Sequence, residues 1–178
     1  MDNNNAKSKS ETMKNYKNSR GWRNNNPLNI RKGERWQGLT PTQRDSSFCQ
    51  FEAMEWGYRA AAKIMKSYYR LFVQQGRKFT VRNIVSRWAP ETENLTEAYI
   101  RRVTLLLLGE QYSSTAYIPE VELGRPDTPQ GARHMAQLMA AMTCVECGCA
   151  PSQVDYLAIR SGLGLAFHLY PSLDDIKL

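Results

Sequence analysis

From residue 53 to residue 75, large side chains recur at three- and four-residue steps. Trp56, Ala60, Ile64, Tyr68 and Leu71 fall on one stripe. That period predicts an amphipathic helix, and Gly76 supplies its stop. A second helix is predicted from about Val81 to Trp88. Pro90 ends it, because the residue before a proline avoids helical geometry. Asn94 and Glu97 read as a capping box for a third helix, Leu95 to Leu108, closed by Gly109. Residues 110 to 127 read as a loop. Thr128 caps a fourth helix with Pro129 at its first position, where a missing N–H does no harm. This helix runs to about Cys147 and stops at Gly148. Ser152 and Asp155 form another capping box, for a fifth helix ending near Gly162. The last stretch, "LGLAFHLYPSLDDIKL", turns from apolar to polar and reads as a docked tail.

Ahead of these helices the pattern fades. Residues 20 to 46 read as ordered loop, and "SFCQFE" alternates in the manner of a short strand. Residues 1 to 19 are rich in Asn, Lys and Ser, with Met13 and Tyr16 as their large apolar groups. Such a segment buries too little surface to offset ordering entropy, so it reads as a disordered arm. The expected organisation is an arm over residues 1–19 and a single, mainly α domain over residues 20–178.

Composition narrows the function. The chain has 178 residues and is 42% hydrophobic. A domain of that length buries about 70% of its unfolded surface. No run approaches the ~20 apolar residues of a membrane span. The N-terminus lacks the apolar stretch of a signal peptide. A protein of this kind acting outside the cytoplasm would need a virion, a secretion machine or cell lysis to deliver it. Net charge is +7, and residues 1 to 35 hold nine Lys/Arg against Asp2, Glu11 and Glu34, a balance of +6. A basic front suits an anionic partner such as nucleic acid, phospholipid or bacterial wall. It also fits a solvated tail that aids solubility.

The segments "RNNNPLNIRKGERWQGL", "FCQFEAMEWGYRAAAKIM" and "VRNIVSRWAPETENLTEAYI" resemble a group of small virion proteins of tailed phages and prophages, over residues 20 to 103. The order of Asn-Asn loop, Trp-x-Gly, aromatic segment and helix also looks like that of wall-cleaving glucosaminidases of the lysozyme superfamily. These resemblances imply a lysozyme-like helical domain and a role on peptidoglycan, alongside other virion proteins. They also imply a location in the virion, or in the host cytoplasm before delivery to the periplasm; no cofactor and no metal are expected. Substrate-binding roles are implied for Asn25, Asn26, Asn29, Arg31, Trp36, Gln37, Asn94 and Tyr99. Amides suit the acetamido and hydroxyl groups of an amino sugar, but they also pin irregular loops. Trp22 and Trp36 offer sugars an apolar face.

Glycoside cleavage needs a carboxylic acid with a raised pKa beside the bond. In the glucosaminidases it ends a helix placed before the Asn loop. Here the glutamate upstream of that loop is Glu11, within the arm. The apolar helix "ARHMAQLMAAMTCVECG" instead ends in Glu146. A circular permutation would bring that helix to the Asn loop in space. Its Met/Ala/Cys surround would disfavour ionisation, and a carboxylate at a helix C-terminus opposes the dipole. Glu146 is the candidate acid. Glu93 is the candidate second carboxylate; Glu97 is assigned to the cap and Glu55 to the first turn of the long helix.

Other constellations carry less. Cys144, Cys147 and Cys149 have C-x-x-C-x-C spacing, with Cys49 apart. Structural zinc sites usually use two separated pairs, and buried free cysteine is common. His134 reads as a surface helix residue. The rival reading is a non-catalytic virion protein that kept the fold. A third is nucleic-acid binding through the basic arm, ranked last because no second basic stripe is evident and the aromatic spacing does not resemble a stacking platform.

Overall fold

The long stripe becomes helix α2, Met54–Gln74, and the shorter one α3, Val81–Trp88. The coordinates are a computed structural model describing residues 15–90, 95–114 and 117–178. The other helices are α1 (Arg20–Arg23), α4 (Thr96–Leu108), α5 (Pro129–Cys147), α6 (Tyr156–Phe167) and α7 (Leu173–Ile176). The protein is mainly helical, as the pattern predicts.

Local chemistry explains several boundaries. Thr80 Oγ1 accepts from Asn83 N at the start of α3, and Ala89, before Pro90, ends it. Thr128 Oγ1 accepts from Gly131 N, Pro129 opens α5, and Gly148 closes it at φ 67°. Only glycine adopts that left-handed conformation at low cost.

Helix α5 is apolar almost all round and forms the centre of the core. Met135, Ala136 and the run Leu138–Met142 are buried, with α4, α6 and α7 packed about it, and α2 lies chiefly against α6. Tyr58 on α2 and Thr143 on α5, both fully buried, satisfy each other across 3.0 Å. The deepest residues of α2 are Tyr58, Ala61, Ala62, Met65 and Phe72. The predicted stripe lies to one side of these: Ala60 is buried, while Trp56, Ile64, Tyr68 and Leu71 are partly buried.

Three predicted elements change. Helix α6 runs past Gly162 to Phe167. That glycine is a close-packing position, since a Cβ there would lie 2.7 Å from Tyr58 Cβ and 2.9 Å from Arg59 N. Asp155 alone caps α6, accepting from Ala158 N, because Ser152 belongs to the separate 3-10 turn Pro151–Gln153. In α4, Glu97 pairs with Arg82 of α3 instead of completing a cap, and Leu95 at the N-cap makes no side-chain cap bond. Asn94, its proposed partner, lies outside the described residues. The "SFCQFE" segment makes isolated bridges, Phe48 to Arg31 and Phe51 to Leu39, and no strand.

Structure begins before residue 20. Tyr16–Asn18 form a 3-10 turn, Ser19 Oγ accepts from Trp22 N to cap α1, and Tyr16 packs edge-on against Trp22 at 4.8 Å. Among the described residues, no helix is long and apolar enough to cross a membrane.

Candidate functional site

The loop after α1 is built from its own amides. Asn24 Nδ2 donates to Asp45 Oδ2 at 2.9 Å, and Asn24 Oδ1 accepts from Gln50 Nε2. Backbone N–H bonds from Ser47 and Phe48, together with the Asn24 amide, hold the Asp45 carboxyl down to about 2. Asn25, at φ 48°, donates to the carbonyls of Phe51 and Glu52. Asn26 is fully buried; its Nδ2 donates to Ile30 O and Cys49 O, and its Oδ1 accepts from Ile30 N. These bonds pin an irregular backbone. Asn25 and Asn26 therefore hold the loop together, and neither lines the cleft described below.

Asn29 differs. It also adopts a left-handed conformation, φ 50°, and its Nδ2 donates to Glu146 Oε2 at 2.8 Å. Tyr99 of α4 donates its hydroxyl to Glu146 Oε1 at 2.9 Å. Residues 117 positions apart in the chain thus share a hydrogen bond. Two further contacts join the loop to the end of α5. Cys147 Sγ donates to Pro27 O, and Gly21 of α1 leaves space where a Cβ would meet Cys147 Sγ at 3.0 Å and Asn29 Oδ1 at 3.2 Å.

Burial raises the pKa of the Glu146 carboxyl, while the Asn29 and Tyr99 bonds pull it back. The Tyr99 phenol is pushed well above its ordinary value by its own burial and by the neighbouring carboxylate. Burial also raises the Cys147 thiol, to about 11. Among the described residues, Glu146 is thus a largely buried carboxyl with two neutral donors and no cation bonded to it.

It opens onto a cleft of about 570 Å³. One wall is the loop, with Arg31, Lys32 and Glu34 at the lip and Trp36 and Phe48 behind them. Ile64 and Tyr68 of α2 and Trp88 and Ala89 at the end of α3 form the other wall. Trp88 is fixed by its Nε1–H bond to Leu28 O, and its ring meets Tyr68 edge-on at 6.3 Å.

Of the sequence-predicted residues, Asn29, Arg31, Trp36, Tyr99 and Glu146 come together here, Tyr99 through its bond to Glu146. Gln37 is exposed and not part of the lining. Trp22 packs on Tyr16 instead of facing the cleft. Glu11, Glu93 and Asn94 lie outside the described residues. Sequence reading missed Tyr68, Trp88 and Glu34. The Trp and Tyr rings sit on flanks of helices whose other residues enter the core, so a count of apolar spacing does not separate them. Glu34 has no motif of its own.

The other candidates resolve differently. All four cysteines are free and buried. No group of three or more His, Cys, Asp or Glu among the described residues is arranged to hold a metal. His134 is half-buried, with its Nδ1 buried and lacking a partner among the described residues, so it is not a surface residue. A second basic row does exist. Arg59, Lys63, Lys66 and Arg70 follow one face of α2, on the opposite side from Ile64 and Tyr68. Lys66 pairs with Asp127 at 2.9 Å, and both lysines lie over the Phe167 ring.

No family model matches this chain. It is similar to Protein P5 of Pseudoalteromonas phage PM2, 42% identical over 89 residues, which are 48% of this chain and 53% of that one. The chain therefore spans about half the length of the curated relative it matches. That relative is a phage protein, in keeping with the phage side of the sequence reading.

Proposed function

We propose that this chain is a phage virion-associated protein that cleaves the glycan strand of peptidoglycan, with Glu146 as proton donor. The phage part is supported by similarity to Protein P5 of phage PM2. The cleavage part is carried by one observation: a buried carboxyl, held by Asn29 and Tyr99, opens onto an aromatic-walled cleft.

Each feature has a use. An acid catalyst must keep its proton until the leaving oxygen needs it, and burial favours the protonated form. It must also be held in place; the Asn29 and Tyr99 bonds do that. Trp36, Trp88 and Tyr68 offer flat apolar surfaces to the faces of sugar rings. Arg31 and Lys32 suit the carboxylates that peptidoglycan carries. A lysozyme-like domain in permuted chain order fits this reading, since the acid-bearing helix follows the amide loop in sequence yet bonds to it.

Wall suspensions or zymograms with purified wild type and Glu146→Gln test the assignment. Clearing by wild type is expected, with a loss of about a hundredfold or more in the variant, the usual contribution of a general acid. Equal clearing by both would remove Glu146 from the role. Similarity to a phage protein equally favours a second reading, a virion component that binds wall without cutting it. Co-sedimentation with peptidoglycan, without release of soluble fragments, would select that one.

A further inference from the structure

Among the described residues, two carboxylates line the cleft: Glu146 at the end of α5 and Glu34 on the loop at the lip. Several acidic groups elsewhere in the fold are engaged. Asp45 accepts from Asn24, Ser47 and Phe48. Glu97 is paired with Arg82 and Asp127 with Arg125 and Lys66. Glu34 is exposed, and none of the ion pairs among the described residues involves it.

The two sites contrast in a way that glycoside chemistry uses. Glu146 is largely buried and neutralised most easily by a proton; Glu34 faces water. An acid and a base working on one bond need such unlike surroundings. Gly33, just before Glu34, sits at φ 148° with nothing within 4 Å of where a Cβ would be, so the backbone there is one that glycine holds easily. The cleft's 570 Å³ far exceeds the ~30 Å³ share of one water, leaving room for a sugar and a water together.

We propose that Glu34 is the second carboxylate of this cleft, accepting a proton from the water that attacks the sugar. This rests on the glycan-cleaving reading above. In the step, the Glu146 carboxyl gives its proton to the glycosidic oxygen as the C1–O bond breaks. Water oxygen bonds to C1 from the opposite face, and its proton passes to the Glu34 carboxylate. Glu146 ends ionised and Glu34 protonated, and solvent restores both. The product is a hydrolysed strand with a free reducing end and inverted configuration at C1. A cyclised anhydro sugar, formed when the sugar's own C6 hydroxyl attacks, is not expected.

The test uses the full chain on purified peptidoglycan, with fragments identified by mass spectrometry after borohydride reduction. Wild type should release reducible ends. Glu34→Gln and Glu34→Ala should lose about a hundredfold or more in kcat with KM little changed; both should fold, since Glu34 is exposed. Sodium azide should restore cleavage by Glu34→Ala and give a glycosyl azide, a product no structural role can supply. Wild-type rates in Glu34→Gln, anhydro products, or no azide adduct would each overturn the assignment while leaving glycan cleavage by Glu146 intact. A wild-type protein that cuts no glycan at all would remove both.

Discussion

Residues 24–29 carry four amides, and the nineteen residues of α5 carry one carboxylate, in the last turn. These two regions meet at the Asn29–Glu146 bond, and they are built on opposite rules. In the loop, polarity is abundant and almost wholly engaged internally: Asn24, Asn25 and Asn26 replace the regular backbone pairing that the loop lacks. In α5, apolar side chains dominate, and the single acid stands where the helix dipole opposes its charge and apolar neighbours oppose its ionisation. Density of polar residues therefore marks scaffold here. The misplaced one, Glu146, is the proton donor proposed above.

The sharpest way to break that contrast is to remove the two kinds of asparagine separately. Asn26→Ala leaves Ile30 N and Cys49 O without their partner inside the protein, while Ile30 O keeps its bond from Cys49 N. Each orphaned group costs about 1–3 kcal/mol, so a loss of at least about 2 kcal/mol is expected. For a chain of this length each kcal/mol lowers Tm by roughly 2–4 °C, and thermal unfolding followed by circular dichroism reads it. Asn29→Ala should cost far less, because Glu146 can take a proton in compensation. Comparable losses in the two variants would end the division between scaffold and site.

Gly21→Ala comes next. Its Cβ would press on Asn26 O at 2.9 Å, Cys147 Sγ at 3.0 Å and Asn29 Oδ1 at 3.2 Å, where loop and helix end meet. Overpacking of this kind costs about 1–3 kcal/mol. Cleavage should fall further than stability, since the displaced atoms surround Glu146. An unchanged Tm with unchanged clearing would mean that the junction is looser than these contacts imply.

How much of this was legible depended on range. Caps are local, so the end of α3 followed from Pro90 and the bounds of α5 from Thr128 and Gly148. Glycine is ambiguous: Gly148 stops a helix, while Gly162 lets α6 lie against α2, and only the partner helix distinguishes them. Glu97 had a cap-like spacing, but Arg82 offered a charged partner from another helix. Asn26 and Asn29 are the same residue in the same loop, and burial alone separates their roles. Glu146 was readable because its misfit is written in its neighbours along the chain. Glu34 was not, because its position is defined by a cleft whose other wall begins some thirty residues later.

Glu146→Gln sharpens the comparison from the stability side. The pKa of Glu146 is raised in the fold above its ordinary value of 4.5. The folded state therefore binds that proton more tightly than the unfolded chain does. Below pH 4.5 the group is protonated in both states and carries no penalty. As pH rises from there through the raised value, ionisation destabilises the fold, and above it the penalty is constant. Glutamine has no such penalty. Asn29 Oδ1, which has no partner among the described residues, can turn to accept from its amide. The variant should therefore melt above wild type at neutral pH and level with it below pH 4.5. A lower Tm at both would show that the carboxylate holds the loop, as the amides do.

The smallest effect expected is on the titration of Glu146 itself. Asn29 and Tyr99 both donate to its carboxylate, and both lower its pKa against the larger effect of burial. Removing either donor should raise the pKa further, with Asn29→Ala acting more strongly than Tyr99→Phe, in the order of their effects on the wild-type group. A general acid works while protonated, so the alkaline limb of kcat/KM against pH should move to higher pH in both variants. Carbon-13 NMR of the labelled carboxyl reads the same shift without any turnover. If the NMR titration moves while the rate profile stays fixed, Glu146 is not the group that limits the reaction at high pH. If neither moves, the two bonds position the carboxyl without tuning it.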